Sequence, residues 1–333
     1  MYLPYWLDKA VYFAKSTLDR APLVRSYQSP KARHAIHHGY RYLKANRWAK
    51  AESLISKLPT ELQANVIGHI ASMEKTSTLF SRWASERPNS WISHTVLAAN
   101  FIEIGYRARG TGWSSSVSEE NAEILLRRMK QAGTSLITAI KLNSKTVVPF
   151  TFLIQVEMIS NRSIEHLWKA FAIAGKREPN NFQVHSRMVY ALSEKWRGEP
   201  GEAIEFAMNA SKQAPLGSAI HSLVCDAHAE AWFLLGFEAN KIPQKNYFQN
   251  PVIKQQIIKN YEKTVCRPMT DFGHIIAMNS FAFCFYLMGE KKRARQALRK
   301  GGTRFLPYPW NLIDTDEYFY DEVVEELLGV SLG

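Results

Sequence analysis

The sequence predicts an all-α protein in which helix pairs repeat along the chain and stack as a solenoid. Two observations carry this prediction: glycine and proline are sparse, and small or apolar residues recur at one spacing of helical periodicity. Of the 333 residues, 46% are hydrophobic and 12% are aromatic, so a substantial core can be buried. Proline tends to fall between the periodic segments, which favours long helices over many short strands.

Three segments in the middle of the chain share one register: "NAEILLRRMKQAGTSLITAIKLNSK", "SIEHLWKAFAIAGKREPNN" and "PGEAIEFAMNASKQAPLG". The matched positions, 35 or 36 residues apart, are Ala132, Leu167 and Ala203, then Leu136, Phe171 and Ala207, then Ala139, Ala174 and Ala210, and last Ser144, Pro179 and Pro215. Steps of four and three residues place the first three positions on one helical face. The Pro or Ser then ends each helix.

Two further copies flank these segments. In "FGHIIAMNSFAFCFYLMGEKKRARQALRKGGTRFLP" the helix–turn–helix positions are Ala282, Phe285, Gly289, Ala294, Leu298 and Gly301, with Pro307 at the exit. In the shorter "YRYLKANRWAKAESLISKLP" they are Tyr40, Asn46, Trp48, Ala51, Ile55 and Pro59. This pattern of small residues, an aromatic wedge and a terminal Pro resembles the tetratricopeptide repeat (TPR). The resemblance implies a right-handed α-solenoid of irregular TPR-like pairs with a concave surface; residues 237–256 form an insertion.

The middle of the chain resembles a narrower group. The stretches "GYRARGTGWSSSVSEEN", "EKWRGEPGEAIEFAMNASKQAPLGS" and "DAHAEAWFLLG" are similar to a bacterial family of TPR-like proteins of unknown function. The similarity covers roughly residues 80–240, and its more specific marks are the "ARGTGW" loop and the "KW-x-G" turn. This resemblance implies a helical-repeat fold and brings no catalytic residue.

Charge is unevenly distributed along the chain, whose formal net charge is +12. Residues 1–60 hold eleven basic residues against three acids, 291–304 is a second basic run, and no base follows Arg304 in the acidic C-terminal segment. A basic surface attracts nucleic acid, anionic lipid or acidic proteins. The alternative to such a partner is intramolecular: the acidic C-terminal segment docks beside the 291–304 helix.

We divide the chain into a helical arm (1–30), a repeat domain (31–310) and an acidic capping helix (311–333).

The cysteines and the apolar segments indicate the cellular compartment of the protein. Cys225, Cys266 and Cys284 are scattered, which indicates a reducing environment rather than a disulfide framework. Asp8 and Lys9 interrupt the apolar N-terminus, so it is a poor signal peptide. No uncharged apolar run approaches the roughly 18 residues of a spanning helix. We therefore expect a soluble, cytoplasmic protein with no transmembrane segment.

The stretch "YRARGTGWSSSVSEEN", residues 106–121, interrupts the helical pattern. Its glycines match neither a P-loop nor a dinucleotide fingerprint, and no G-x-S-x-G is present. Gly110 suits a helix C-cap and Ser118 an N-cap. We expect a connector between helices with Trp113 folded back on the core; the alternative is a loop that contacts a partner.

Candidate metal ligands are two histidine-containing groups. His221, Cys225 and His228 are spaced i, i+4 and i+7 in "HSLVCDAHAEAW", but a helix rises about 10 Å over that span, which hardly suits one ion; the alternative is a two-ligand site completed elsewhere. A second group, "HAIHHGY", holds His34, His37 and His38 beside several bases and indicates a cationic patch. We predict no metal, no cofactor and no catalytic residue, and the acidic run near the C-terminus fits a solvated helix.

The predicted function is that of a protein–protein interaction scaffold or adaptor, which is not an enzyme. By the TPR resemblance, the first helix of each pair lines a concave face that holds a protein or peptide partner. The residues that this comparison places there are His185, Met188, Lys195, Asn279, Phe283 and Tyr286. Lys195 would pair with an acidic partner and Phe283 would anchor it, while Arg109 and Trp113 are a second contact.

Nucleic-acid binding is the alternative function. The basic N-terminal region is interleaved with the aromatic residues Tyr5, Trp6, Tyr12, Tyr27, Tyr40, Tyr42 and Trp48. Bases stack on aromatic rings beside a cationic groove, but the same rings fit helix packing. Neither the partner's identity nor the oligomeric state follows from the sequence.

Overall fold

The structure is a computed structural model that describes residues 30–110, 117–160, 162–237, 242–267, 273–301, 306–314 and 317–329. Every regular element within these ranges is helical, and they contain no strand, so the predicted all-α class is confirmed. The chain divides after Arg187 into two compact units, inside the predicted repeat domain 31–310. The predicted arm 1–30 lies outside the described residues, apart from Pro30.

Unit 1 is built around two enclosed helices. Its helices are α1 (Pro30–Lys44), α2 (Trp48–Ser56), α3 (Thr60–Ser72), α4 (Thr78–Glu86), α5 (Trp91–Arg109), α6 (Glu119–Leu142), α7 (Val148–Ile159), α8 (Ile164–Arg177) and the start of α9 (Phe182–Ala191). Helix α5 packs against α3, α4, α6 and α7, and α7 packs against α3, α5, α6 and α8. Most side chains of α5 and nearly all of α7 are consequently buried, as expected for helices that are apolar on every side.

Unit 2 also has two enclosed helices. It contains the end of α9, then α10 (Glu202–Gln213), a 3₁₀ turn (Ala219–Ser222), α11 (Leu223–Leu235), α12 (Ile242–Tyr247), α13 (Pro251–Val265), α14 (Gly273–Leu287), α15 (Lys291–Gly301), α16 (Pro307–Trp310) and α17 (Glu317–Leu328). Helix α11 contacts α10, α12, α13 and α14, and α14 also contacts α15 and α16. The predicted insertion 237–256 contains α12 and the start of α13. No helix in the described residues is long and apolar enough to cross a bilayer.

Most of the predicted matched positions are buried within individual helices, while Phe171 and Ala210 are partly exposed. The first matched positions, Ala132, Leu167 and Ala203, are buried on α6, α8 and α10. These helices end at Leu142, Arg177 and Gln213, and in each case the predicted Ser144, Pro179 or Pro215 stands two residues beyond. The chain thus leaves each helix where a residue unsuited to its continuation stands.

Both flanking copies form helix–turn–helix pairs. The turn between α1 and α2 passes through Asn46 at φ 57°, and the turn between α14 and α15 passes through Gly289 at φ 76°. Both conformations are left-handed, which Gly adopts freely and Asn adopts more readily than most residues. Trp48, the predicted wedge, is buried at the start of α2.

The ends of the 106–121 connector are as predicted. Gly110 ends α5 at φ 73°, and its N–H donates to the carbonyl oxygen of Tyr106. The Ser118 side chain accepts a hydrogen bond from the backbone N–H of Asn121 and caps α6. Trp113 lies outside the described residues, so its predicted packing and contact role stay predictions.

The acidic C-terminal helix lies beside the second basic run. Helix α17 packs on α15, where Glu326 pairs with Lys291 at 2.6 Å. The Arg295 guanidinium donates to the carbonyl oxygen of Leu327, near the end of α17 where the helix dipole is negative. The intramolecular alternative for this acidic segment is therefore confirmed.

Candidate functional site

A buried ion pair is the most unusual polar feature of unit 2. Lys195 lies in the turn after α9, Glu230 lies on α11, and each is only 1% exposed. The Lys195 Nζ and Glu230 Oε2 atoms form the pair. Removing both charges from water is expensive, so this contact depends on the turn that directs the lysine inward.

The turn carries the "KW-x-G" sequence seen at residues 195–198. The N–H of Trp196 donates to the carbonyl oxygen of Ser193 at 2.9 Å, and the Trp196 ring is buried. A Cβ atom at Gly198 would overlap the carbonyl oxygen of Leu192, so only glycine fits there without a shift. The motif therefore has a steric role: it folds the chain tightly enough to bury Lys195.

Aromatic rings complete the surroundings of Lys195. Its Nζ lies 4.7 Å from the ring centroid of Tyr190 and 5.8 Å from that of Phe233, within the range of cation–π attraction. Burial lowers the pKa of Lys195, and the charge of Glu230 opposes this change. The rings and the carboxylate thus stabilise an ammonium that burial disfavours.

Asp226 adds a second carboxyl group to this cluster, one turn before Glu230 on α11. Ser280 on α14 donates a hydrogen bond to Asp226 Oδ1 at 2.6 Å. Burial raises the pKa of Asp226 to about 7; the Ser280 hydrogen bond opposes this, and the charge of Glu230 adds to it. Two buried carboxyl groups near one another are accommodated because Asp226 is protonated below about pH 7.

His228, on the same helix, is fixed as a neutral imidazole. Burial lowers its pKa to about 4. Its Nε2 lies 2.9 Å from Gln256 Oε1, which can only accept, so Nε2 carries the proton. Nδ1 then accepts from the Tyr247 hydroxyl at 2.8 Å. Both ring nitrogens are occupied, and the side chain ties α11 to α12 and α13.

A serine–histidine pair links α10 to the loop that follows it. His221 Nε2 donates to the carbonyl oxygen of Pro215 at 3.0 Å, and Nδ1 lies 2.8 Å from Ser211 Oγ. Ser211 Oγ also contacts Asn260 Oδ1. Such a pair can activate a nucleophile when substrate reaches it, but both side chains are enclosed. Its observed role is to join three segments of unit 2.

The candidate metal ligands do not converge. His221 lies on the 3₁₀ turn rather than on α11, so the i, i+4, i+7 face is not formed. The thiol of Cys284 lies 3.7 Å from the backbone carbonyl oxygen of Cys225. Within the described ranges, no three His, Cys, Asp or Glu side chains are grouped as metal ligands.

The residues predicted to line a concave partner surface are mostly interior. His185, Met188, Lys195, Asn279 and Phe283 are buried, as is Arg109, while Tyr286 is partly exposed. This corrects the expectation of an exposed contact face, because neighbouring helices cover the faces of α9 and α14 that the comparison assigned to a partner. Arg109 contacts the carbonyl oxygen of Gly110 at the end of α5.

The structure brings only some of these residues together. The rings of Phe283 and Tyr286 lie 5.5 and 6.0 Å from that of Trp310, and Trp310 Nε1 donates to Asn279 Oδ1 at 3.4 Å. His185 instead packs edge-on against Phe171, at 5.2 Å, in unit 1. These residues all pack against other side chains of the protein. Similarity to a repeat position does not distinguish a residue that packs in the core from one that contacts a partner.

A shallow pocket of about 270 Å³ opens on unit 2 and is lined by Trp232, Ile242, Gln244 and Lys245. None of these four residues belongs to the cluster of Lys195, Glu230 and Asp226. The perturbed carboxyl group therefore does not line this pocket.

The exposed face of α1 is the clearest surface feature of unit 1. Arg33, His37, Arg41 and Lys44 form a line along it, which we call the cationic stripe. The opposite side is buried, through Ala32, Ala35, Ile36, Gly39 and Leu43. Lys44 pairs with Glu74 at 3.2 Å, whereas Arg33 and Arg41 form no ion pair with any described residue.

Three members of the predicted base-stacking set are described: Trp48 and Tyr40 are held in packing and hydrogen bonds, and the partly exposed Tyr42 ring lies 5.9 Å from Lys50 Nζ. Trp48 stacks on Trp83 with 6.1 Å between ring centroids and donates to Glu86 at 2.6 Å. The Tyr40 hydroxyl donates to Glu74 at 2.8 Å. Tyr5, Trp6, Tyr12 and Tyr27 of the predicted base-stacking set lie outside the described residues.

Comparisons with known proteins add no family assignment. No protein-family model matches the chain, and no curated protein matches it. The resemblance to tetratricopeptide repeats therefore rests on the residue pattern, and the candidate sites rest on the contacts described above.

Proposed function

We propose that the protein is a non-enzymatic helical-repeat protein that binds an acidic segment of a partner protein on the cationic stripe of α1. The observation that carries this proposal is the charge of an exposed helix. Helix α1 has four Lys or Arg residues, Lys31, Arg33, Arg41 and Lys44, and no acid. Unpaired exposed cations with one sign attract and orient an oppositely charged partner.

The arrangement of unit 1 supports the repeat part of the proposal. Helix α1 contacts α3, α3 contacts α5, and α5 contacts α7, while α2, α4 and α6 each contact the helix that follows them. Alternation of this kind is expected when helix pairs stack on one another. It supports a TPR-like solenoid for this part of the chain.

The stripe suits an acidic polypeptide better than a nucleic acid. Arg33, His37 and Arg41 are spaced four residues apart, or about 6 Å along the helix axis. Carboxylates at i and i+4 of an acidic helix have the same spacing. Trp48 and Tyr40 are held in packing and hydrogen bonds, so neither offers a free ring on which a base would stack.

The buried cluster supports the non-enzymatic part. Asp226 and Lys195 have the shifted pKa values that catalytic groups often show. Structural ion pairs shift pKa values in the same way, and both residues are enclosed. The cluster therefore fits a stabilising role in unit 2.

Charge reversal on α1 tests the proposal. We expect Arg33→Glu/Arg41→Glu to weaken binding of poly-L-aspartate about tenfold or more at about 0.15 M salt, since attraction becomes repulsion. The matched control is Lys292→Glu/Arg299→Glu, which makes the same charge change on α15 beside the acidic α17. Binding is measured by fluorescence anisotropy, and circular dichroism confirms the helical content of each variant.

Two results would overturn the proposal. An equal loss in both variants would assign binding to net charge rather than to the stripe. Tighter binding of a DNA duplex than of poly-L-aspartate, with the steep salt dependence of phosphate contacts, would identify the surface as a nucleic-acid site.

A further inference from the structure

Three histidines lie among the cations of α1. His34 and His37 are exposed, and His38 is partly exposed. The ring centroids of His34 and His38 are 4.3 Å apart, and those of His37 and His38 are 5.1 Å apart. This histidine cluster overlaps the cationic stripe, because His37 lies between Arg33 and Arg41.

The charges that act on the cluster come from α1 itself. Burial lowers the pKa of His38, and the nearby His34, His37 and Arg41 lower it further. A proton on His34 or His37 therefore opposes a proton on His38, and the charge of Arg41 opposes it as well. An anion placed over the stripe would reverse this repulsion.

The carboxylates on elements packed against α1 have other partners. Glu74, after α3, accepts from Tyr40 and Lys44. On α2, Glu52 accepts from Trp83 and pairs with Arg87. No described carboxylate therefore pairs with the histidine cluster in the unbound protein.

The other neighbouring groups for which a partner is shown do not contact the histidine cluster. On α4, Glu86 accepts from Trp48 and lies near Arg82, which also contacts Asn46. On α3, His69 bonds to the carbonyl oxygen of Asn65, and burial lowers its pKa. The other charged side chains of these helices are Lys50, Glu61 and, after α3, Lys75.

We propose that binding of an acidic polypeptide to the cationic stripe is coupled to protonation of His34, His37 and His38. This inference rests on the proposed function and names the regulation of the same surface. The bound carboxylates stabilise each imidazolium, so the complex holds more protons than the free protein. By linkage, affinity then rises as pH falls through the histidine range.

The test is the affinity for poly-L-aspartate at about pH 8 and about pH 6, a window in which aspartate stays ionised. We expect the unmodified protein to bind at least about fivefold more tightly at the lower pH, since up to three charges are gained. In His34→Gln/His37→Gln/His38→Gln, this ratio should fall to about one, whatever affinity remains at the higher pH.

A second variant separates the coupling from the surface itself. Arg33→Gln/Arg41→Gln should weaken binding at both pH values yet keep part of the increase at low pH. Titration calorimetry in buffers of different ionisation enthalpy should show proton uptake in the unmodified protein and none in the histidine variant.

The outcomes distinguish the two proposals. If the histidine variant keeps the full pH ratio, the coupling is wrong and the binding surface stands. If the unmodified protein binds poly-L-aspartate at neither pH, both proposals are wrong. If a DNA duplex binds more tightly and with the same pH ratio, the occupant is a nucleic acid and not an acidic polypeptide.

Discussion

The charges on α1 lie in water, whereas those around Lys195 lie in the interior of unit 2. Arg33 and Arg41 are exposed with no described carboxylate beside them, while Lys195 and Glu230 are each 1% exposed and directly paired. Water already stabilises the first group, so these side chains are available to a partner at little loss. The second group depends wholly on its protein neighbours.

The two basic helices, α1 and α15, also differ in how far their charges are paired. Helix α15 has an acidic neighbour in α17, with an ion pair between Lys291 and Glu326. On helix α1, Lys44 pairs with Glu74, whereas Arg33 and Arg41 form no ion pair with any described residue. Similar basic composition therefore predicts binding only where the structure leaves the charge uncompensated.

The largest expected effect is that of breaking the buried ion pair. Lys195→Met leaves Glu230 as an uncompensated buried charge and should lower the free energy of unfolding by about 3–5 kcal/mol. The double variant Lys195→Met/Glu230→Met should recover most of this loss, because no buried charge remains. Urea unfolding followed by circular dichroism measures both, and the exposed Lys292→Met is the control. A loss below about 1 kcal/mol for Lys195→Met would show that water reaches the pair.

The next effect is a pH dependence that comes from Asp226. Its pKa is raised from 3.8 to about 7 in the folded protein, so the folded state holds the proton more strongly than the unfolded chain. Its contribution to stability is complete below pH 3.8 and is lost as pH rises toward about 7.

We therefore expect the unmodified protein to lose about 3 kcal/mol more than Asp226→Asn between about pH 5 and about pH 8. Urea unfolding at the two pH values gives the difference. Asp314→Asn, at an exposed carboxylate, should parallel the unmodified protein. If Asp226→Asn loses as much stability between the two pH values as the unmodified protein, Asp226 is ionised throughout this range.

The smallest effect concerns the exposed pair between α15 and α17. Glu326→Gln should lower the melting temperature slightly at low salt and leave it unchanged at high salt, because solvent screens a pair of this exposure. Thermal melts at the two salt concentrations give the comparison. A large, salt-independent decrease would mean that α17 depends on this contact and that the surface pair resembles the buried one.

Much of the helical framework is predictable from the sequence. The repeat register placed Ala132, Leu167 and Ala203 on buried faces, and the ends of α6, α8 and α10 follow from Ser144 and the two prolines beyond them. Gly110 and Ser118 mark the ends of a connector through their capping preferences. These features depend on residues within a few positions of one another.

The buried cluster was not predictable in the same way. The "KW-x-G" turn stands out in the sequence, but its role in burying Lys195 requires the close approach of Gly198 to Leu192. The partners Glu230 and Ser280 come from helices distant in sequence. The sequence did contain one signal, because Asp226 and Glu230 stand four positions apart in an otherwise apolar segment. A count of charges alone would predict that both carboxylates face solvent.

The sequence by itself determined the all-α class, most of the buried positions of α6, α8 and α10, and the ends of the connector and of those three helices, since helical periodicity, caps and turn residues act locally. Only the tertiary structure decided which charged and polar side chains face water. It enclosed Lys195, Asn279 and Phe283 and left Arg33 and Arg41 exposed, because burial is set by neighbouring helices that lie far apart along the chain.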